Sequence, residues 1–514
     1  MPSQLQIIEY SGLIIRNLLR LSYSYQQINK PRRRMQLQKL ISALFALFFA
    51  FSCAQAASQQ DRLPDIGTAG GGALSVEREQ IMGDLYMRQI RATAPLVADP
   101  VLAEYLRDLG LRLVREAEGI RFPFTFFWVN QKDINAFAFF GGHVGINTGL
   151  IAETRNESEL ASVISHEIVH VSQRHLARQI ETSQNNGGLA LAGVLGAIIL
   201  GMVSPDLGMA ALSGSIGGIQ QSQLNYSRMF EQEADRIGMD ILVRSGFDPQ
   251  GAPAFFGRLA EKYRYSSKLP EMLRTHPLSE NRIADTRQRA DLLPSPINRD
   301  ERRYWLAKYR VYARHLQSHT EQTFRQQLSA NDPAIVAAAR YGIAIVQLDR
   351  GDAEAAERTL APLLTAEPRN PFFIDVQADI LLKQQRYNEA LAMLEQAYLR
   401  LPNEQTITLN YANVALEAGQ AQLAVDLLRA YLQKESDNVL AIDLLANAYA
   451  KLGKTSEMYE QRAALYALYG NFDEAINNLH NAYKQNGSEL EQRRLQARID
   501  QLLDKKRQLA ALQR

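Results

Sequence analysis

Residues 165–170 read Ser-His-Glu-Ile-Val-His, and the H-E-x-x-H pattern within them decides how the rest of the chain is interpreted. Residues four apart lie on one face of an α-helix, so the imidazoles of His166 and His170 can reach one metal ion. Zinc accepts neutral histidine nitrogens and keeps one position for water in hydrolytic sites. Glu167 follows the first histidine, where a carboxylate can take a proton from that water. Because the pattern also recurs by chance in long helical proteins, the surrounding sequence must decide.

The segments around the motif predict helices and a small sheet. An apolar stripe with acidic residues at its start predicts one unbroken, buried helix from about Ser158 to Ile180. The segment from Ser75 to about Glu118 has helical periodicity, whereas Pro123 to Asn130 is β-branched and aromatic, which predicts a strand. Residues Asn135 to Leu150 predict two strands around a glycine turn. An edge strand here could bind an extended peptide, or the hairpin could simply pack beneath the helix.

A hydrolytic zinc site needs a third protein ligand. His175 lies nine residues after His166, about 900° around an unbroken helix and so on its opposite face, which favours a structural role. Glu231 and Asp235 are four apart and share a helical face, so Glu231 can bind the metal while Asp235 orients a ligating histidine. Glu233 points about 200° away and is expected to be solvated. On spacing alone, an acidic helix start that merely complements the helix dipole is equally compatible.

These motifs together resemble the M48 family of zinc metallopeptidases, in which H-E-x-x-H is followed some sixty residues later by E-x-x-x-D. The resemblance covers about residues 75–290. It is carried by four further stretches: Asn135-Ala136-Phe137-Ala138 with Gly141-Gly142, Glu159-Leu160-Ala161, Gln173-Arg174-His175, and Glu231-Gln232-Glu233-Ala234-Asp235. It implies one Zn²⁺ per chain, held by His166, His170 and Glu231, with Glu167 as general base.

The segment Thr275-His276-Pro277 resembles one found in periplasmic members of that family. In those proteins its histidine can fill the open zinc position and hold the enzyme inactive, and His276 is the matching residue. A fourth protein ligand would displace the water that hydrolysis requires. Two alternatives stay open: a loop histidine packed beside Pro277, or a group that stabilises the oxyanion.

The C-terminal half repeats small and apolar residues at intervals of 34. The repeating positions are Ala344, Ala378 and Ala412; Ala356, Ala390 and Ala424; and Leu360, Leu394 and Leu428. This is the tetratricopeptide period, in which paired helices stack into a solenoid with a concave binding surface. The next similar unit, ending at Ala475, lies 51 residues beyond Ala424, so an irregularity or an extra helix is expected there. We predict about four repeats plus flanking helices.

The N-terminal segment predicts export. Residues 1–56 hold seven Lys and Arg against one Glu, and within this range a short apolar core from Leu40 to Phe51 precedes an Ala54-Gln55-Ala56 cleavage pattern. The signal is complete from Met35, which could be the true start. Cys53 is the only cysteine and fits a lipidation site poorly. The apolar residues 187–203 contain five glycines, which favours a buried helix over a segment that contacts a membrane surface peripherally or binds substrate.

The sequence therefore predicts a mainly α chain: a signal region at 1–56, an extended leader at 57–74, an α+β zinc-metallopeptidase domain at 75–300 and an all-α tetratricopeptide solenoid at 301–514. Net charge of +2 gives no indication of nucleic-acid binding. The resemblance implies a periplasmic endopeptidase that degrades misfolded or stalled outer-membrane proteins. It also implies a chaperone-like role and docking on the assembly machinery through the repeats. The alternative is a chaperone or scaffold whose metal site is self-inhibited or silent.

Overall fold

The computed structural model describes residues 74–184, 228–296, 300–402 and 404–512, all within the unit Ala69–Arg514. The signal region, the leader up to residue 73, Cys53 and the apolar segment 187–203 lie outside these ranges. Within them, no helix combines the length and apolar character needed to cross a membrane.

The segment from Ser75 to about Glu118, which has helical periodicity, forms two helices before the sheet. Helix α1 spans Val76–Thr93, and helix α2 spans Pro100–Val114. The chain between them is extended at Ala94, which precedes a proline, and residues before proline avoid helical angles. The Asp99 carboxylate caps α2 by accepting a hydrogen bond from the Leu102 amide at 3.1 Å.

The predicted strands form a three-stranded sheet. Strands β1 (Thr125–Val129), β2 (Ala136–Phe139) and β3 (His143–Asn147) lie in the order β1-β3-β2. Strand β3 runs parallel to β1 and antiparallel to β2, so β2 is an edge strand. The turn at Phe140–Gly142 needs glycine: Gly142 has a φ of 87°, and a Cβ there would lie 2.2 Å from the Pro123 carbonyl oxygen. The second strand was expected to continue to Leu150, but it ends at Asn147 and is followed directly by helix α3 (Thr148–Glu153).

The motif helix is α4, Glu157–Ser172, and all sixteen of its residues are buried. The Asn156 side chain caps it by accepting a hydrogen bond from the Glu159 amide at 2.8 Å. The prediction of an unbroken helix to Ile180 is wrong. The chain turns at Arg174, whose φ is +54°, and helix α5 begins in a new direction over His175–Gln184.

Helix α6, Arg228–Arg244, packs tightly against α4. A Cβ at Gly238 would lie 3.2 Å from the His166 amide nitrogen, so glycine permits close approach of α6 to the motif. Helices α7 (Gly251–Tyr263), α8 (Glu271–Thr275) and α9 (Glu280–Asp291) complete this half.

The second half is helical throughout its described residues. Its helices are α10 (Arg302–Arg310), α11 (Glu321–Gln326), α12 (Pro333–Asp349), α13 (Ala353–Ala366), α14 (Pro371–Lys383), α15 (Tyr387–Arg400), α16 (Gln405–Glu417), α17 (Ala421–Leu432), α18 (Val439–Lys451), α19 (Thr455–Leu468), α20 (Phe472–Gln485) and α21 (Glu489–Leu512). The nine alanines and leucines with the 34-residue spacing are all fully buried. Two helices, α18 and α19, lie between Ala424 and the similar unit at Ala475, where a regular repeat has one.

The two halves share a hydrophobic core and a cluster of buried charges. The apolar core runs without interruption from Val101 in α2 to Ile380 in α14. Arg310, 2% exposed, binds Asp99 through Nε at 2.6 Å and Asp375 through Nη1 at 2.7 Å. Its Nη1 also donates to the Tyr341 hydroxyl at 2.7 Å. We call Asp99, Arg310 and Asp375 the junction cluster, because it joins α2 to the first repeats.

Candidate metal centre

Four buried side chains from three separate segments converge beside the motif helix. His166 and His170 extend from α4, Glu231 from the first turn of α6, and His276 from the end of α8. One ligand atom from each lies within 4.8 Å of the others. Each residue is at most 4% exposed. We call these four residues the metal-site cluster.

The inner atoms of the cluster are all potential metal donors. His166 Nε2 and His170 Nε2 lie 3.0 Å apart. The Glu231 carboxylate faces both rings, with Oε2 3.4 Å from His166 Nε2 and Oε1 3.5 Å from His170 Nε2. Two imidazole nitrogens and one carboxylate form a donor set that zinc accepts in hydrolytic enzymes.

The outer nitrogen of His166 faces an acid held by arginine. His166 Nδ1 lies 3.0 Å from Asp235 Oδ1. Arg282 donates to both Asp235 oxygens, at 2.7 and 2.8 Å, and its Nη1 lies 2.8 Å from Glu231 Oε2. Burial opposes protonation of His166, but hydrogen bonds to Asp235 and Glu231 raise its pKa to about 10. The cluster therefore attracts a cation, and a metal must displace a proton to bind there.

The outer nitrogen of His170 faces a second histidine. His170 Nδ1 lies 2.9 Å from His175 Nδ1, and His175 Nε2 lies 3.2 Å from Glu233 Oε2. Arg178 donates to that same oxygen at 3.0 Å. The His175 ring stacks on Phe230 with centroids 4.6 Å apart. Burial lowers the pKa of His175 to about 4, so the ring is neutral at pH 7.

The expected placement of His175 and the expected solvation of Glu233 were therefore wrong. His175 was placed on the opposite helix face because the helix was assumed to continue. The turn at Arg174 brings His175 back to His170. Glu233 is one-quarter exposed and ion-paired with His175 and Arg178, rather than freely solvated.

Glu167 lies beside the metal-site cluster and has an unusual environment. It is 1% exposed, and neither carboxylate oxygen has a hydrogen-bond partner among the described residues. His276 Nε2 approaches Glu167 Oε1 at 3.5 Å. Burial raises the pKa of Glu167, which brings it closer to the range useful for a general base.

His276 is held between the general-base candidate and a ligand candidate. Its Nδ1 lies 3.0 Å from Glu231 Oε1. Helix α8 is attached to the chain just before β2, because the Met272 amide donates to the Ile134 carbonyl at 3.2 Å. The His276 amide in turn donates to the Met272 carbonyl at 2.8 Å. The Thr275-His276-Pro277 segment is therefore linked through α8 to the chain that leads into β2.

The donor orientations fit a metal ion. Asp235 and His175 face the Nδ1 atoms of His166 and His170, so both Nε2 atoms are directed inward. Two lone pairs 3.0 Å apart repel each other unless a cation or a proton lies between them. Burial opposes ionisation of Glu231, but the neighbouring His276 and His166 hold its pKa well below its usual range. The residues therefore suit a divalent ion.

Comparison with known proteins gives the class of protein first. Residues 100–290 match the model of Peptidase family M48, and residues 381–448 match a tetratricopeptide repeat model. Together with the buried histidine and glutamate cluster, these matches define a metalloprotease that carries helical repeats.

Full-length relatives narrow the class. The Beta-barrel assembly-enhancing protease of Escherichia coli O157:H7 is 43% identical over 472 residues, which cover 91% of this chain and 97% of that protein. The putative beta-barrel assembly-enhancing protease of Vibrio cholerae is 39% identical over 91% of this chain and 98% of that protein. The mitochondrial metalloendopeptidase OMA1 of Arabidopsis thaliana is 33% identical over 30% of this chain and 29% of that protein. The chain belongs to the family of beta-barrel assembly-enhancing proteases within peptidase family M48.

Sequence reasoning missed three residues that contact the candidate ligands or their neighbours. Arg282, Arg178 and Phe230 had no assigned role. Arg282 follows His276 by six residues, but no spacing rule connects an arginine there to an acid on another helix. Phe230 precedes Glu231 directly, and a buried aromatic at a helix start is too common to indicate a site.

Proposed function

We propose that the chain is a zinc-dependent endopeptidase of the periplasm, with one Zn²⁺ held by His166, His170 and Glu231. The observation that carries the proposal is the inward convergence of these donors beside Glu167, whose buried carboxylate has no hydrogen-bond partner in the described part of the chain. A zinc ion bound there would lower the pKa of a water to about 7 and polarise the substrate carbonyl.

The protein side chains supply the proton transfers and the orientation. Glu167 accepts the proton of the attacking water and passes it to the leaving amine. Asp235 holds the ring of His166 in place, and Arg282 holds Asp235 by two hydrogen bonds. An extended substrate would add to β2, which is an edge strand among the described residues.

His276 acts as a removable inhibitor in this scheme. Its contacts with Glu231 at 3.0 Å and Glu167 at 3.5 Å support this role, because a ring held there would compete with substrate and water for the metal. Withdrawal of the α8 segment would open the site, and the histidine could then stabilise the oxyanion from a new position. The same contacts favour the second candidate function, a chaperone or scaffold in which the site stays closed.

The proposed substrates are misfolded or stalled outer-membrane β-barrel proteins. The names of the full-length relatives support this class, and the predicted signal supports export to the periplasm. The repeats would bind the outer-membrane assembly machinery or unfolded substrates on their concave surface and give the chain a chaperone-like role. Peripheral membrane contact through residues 187–203 is part of the same proposal.

The test compares the parent with Glu167→Gln and His276→Ala in one assay of metal content and cleavage of an unassembled β-barrel protein. We expect all three to retain about one zinc per chain. Cleavage by Glu167→Gln should fall by about 10²- to 10⁴-fold, the usual contribution of a general base. His276→Ala should cleave faster than the parent.

Unchanged cleavage by Glu167→Gln would refute the proposed chemistry. If only His276→Ala matched the parent, the inhibitory role of His276 would be refuted while the endopeptidase assignment stood. Zinc-free parent protein, prepared with zinc present throughout, would refute the metal assignment itself.

A further inference from the structure

The outer face of His170 continues into a chain of three polar side chains that the catalytic scheme does not use. They are His175 and Arg178 on α5 and Glu233 on α6. We call them the His175 relay. Consecutive distances along it are 2.9 Å, 3.2 Å and 3.0 Å, and His175 itself is fully buried.

The hydrogen-bond partners in the relay determine which nitrogen of each histidine carries a hydrogen. The Glu233 carboxylate can only accept, so His175 Nε2 carries the hydrogen and donates to it. With that hydrogen on Nε2, the Nδ1 atom on the other side of the His175 ring is the one that faces His170 Nδ1 and can accept its hydrogen. That places the lone pair of His170 on Nε2, the atom that faces Glu231 at 3.5 Å. Arg178 donates to the same Glu233 oxygen and completes the chain.

We propose that the His175 relay is a positioning device that fixes the tautomer and the ring orientation of His170 as a metal ligand. The inference rests on the proposed function, because it takes His170 to be a ligand. His175 contacts neither the inner donors of the metal-site cluster nor Glu167 in the described contacts, and acts only through His170 and the adjacent packing. Partners of this kind typically contribute 10- to 100-fold to metal affinity.

The relay also connects the two helices that supply ligands. The His175 ring stacks on Phe230, the residue immediately before Glu231, and Arg178 lies 4.6 Å above the same phenyl ring. Displacing His175 would therefore disturb His170 by losing a hydrogen bond and Glu231 by losing a packing contact. A test must separate these two effects.

Two substitutions separate them. His175→Phe keeps a flat ring against Phe230 but removes both nitrogens. His175→Asn gives up the ring but places an amide oxygen near the position of Nδ1, where it can accept from His170. If the hydrogen bond matters, the asparagine variant should be closer to the parent; if packing alone matters, the phenylalanine variant should be.

His143→Phe provides a matched control. His143 is also buried and stacks on a phenylalanine, Phe139, with centroids 5.0 Å apart. It starts β3 on the sheet face covered by α1 and contacts none of the four residues of the metal-site cluster in the described contacts. The same substitution there measures the general cost of replacing a buried imidazole.

The experiment measures zinc affinity by competition with a chromogenic chelator, and the visible spectrum of the cobalt-substituted proteins, on full-length chains. We expect His175→Phe to weaken zinc binding by about 10- to 100-fold and to change the cobalt spectrum. His175→Asn should lose less affinity, and His143→Phe should match the parent in both measurements. Circular dichroism and thermal unfolding with zinc bound confirm that each variant is folded.

The inference is overturned if His175→Phe matches the parent, or if His175→Asn binds zinc no better than His175→Phe. It is also overturned if His143→Phe loses as much affinity as His175→Phe, because the effect would then be general. A parent that binds no zinc would refute the proposed function instead, so the two failures are distinguishable.

Discussion

The metal-site cluster and the junction cluster are both groups of charged side chains removed from water, yet they differ in how their charges are balanced. In the junction cluster, Arg310 lies between Asp99 and Asp375, and each acid has further protein partners: the Leu102 amide for Asp99 and the Asn410 side chain for Asp375. In the metal-site cluster, the Nε2 atoms of His166 and His170 lie 3.0 Å apart, and the adjacent Glu167 has no hydrogen bond to any residue that the structure describes.

The way in which buried charges are paired distinguishes a structural charge cluster from one that can bind a ligand. A charge withdrawn from water must be paired, because leaving it unpaired costs several kcal/mol. Where protein partners complete the pairing, as around Arg310, the cluster fixes the relative placement of chain segments. Where two donor nitrogens are directed at each other, as at His166 and His170, a proton or a bound cation must lie between them.

The largest effect that separates the two clusters should come from removing Arg310. Arg310→Met leaves Asp99 and Asp375 buried without their common cation, which should lower the free energy of unfolding by about 3–5 kcal/mol. Arg314→Met is the matched control. Its guanidinium is about one-fifth exposed and pairs with the partly exposed Asp379, so about 1 kcal/mol or less is expected. Urea unfolding followed by circular dichroism measures both, and equal losses would contradict the special role of the junction cluster.

Zinc binding should stabilise the protein by a smaller amount, and only through the metal-site cluster. Zinc at a free concentration about 100 times its dissociation constant should raise the free energy of unfolding by about 2.7 kcal/mol relative to chelator-treated protein. Arg310→Met should gain the same increment, because distant sites contribute additively. Glu231→Ala should gain little. The measurement is the zinc-induced shift of the urea midpoint, and an equal shift in Glu231→Ala would mean that zinc binds elsewhere.

The sequence predicted the local patterns of both halves well. The confirmed predictions are the mostly helical class, the small sheet around Gly141 and Gly142, the M48 resemblance and the helical repeats. The helical class and the sheet depend on residues close together in the chain, the repeats on a 34-residue interval, and the M48 resemblance on short motifs at a characteristic separation.

The features that the sequence could not predict depend on contacts between distant residues. Arg174 adopts its left-handed conformation while its side chain is bound to Glu79 and to the Leu74 carbonyl, about a hundred residues earlier. That turn ends the motif helix and gives His175 its contact with His170. The junction cluster pairs Asp99 with Arg310, 211 positions away. No periodicity in the sequence indicates either contact.

The smallest effect concerns Asp379 in α14, at the edge of the junction cluster. Burial and the nearby charge of Asp375 raise the pKa of Asp379 to about 6, although Arg314 and Arg310 oppose that shift. Because the pKa is higher in the folded state than its ordinary value near 4, stability from this group is present at low pH and lost as pH rises through 6. The Asp379→Asn variant does not have this loss. The unfolding free energy of the variant minus that of the parent should therefore increase between pH 4 and pH 7. The carboxylate is one-third exposed and water screens it, so about 1 kcal/mol is expected.

Parallel urea titrations of the two proteins at each pH measure the difference. If the difference in unfolding free energy between Asp379→Asn and the parent did not change with pH, Arg310 and Arg314 would balance the charges of Asp99, Asp375 and Asp379 together. The charge pairing of the junction cluster would then extend to Asp379.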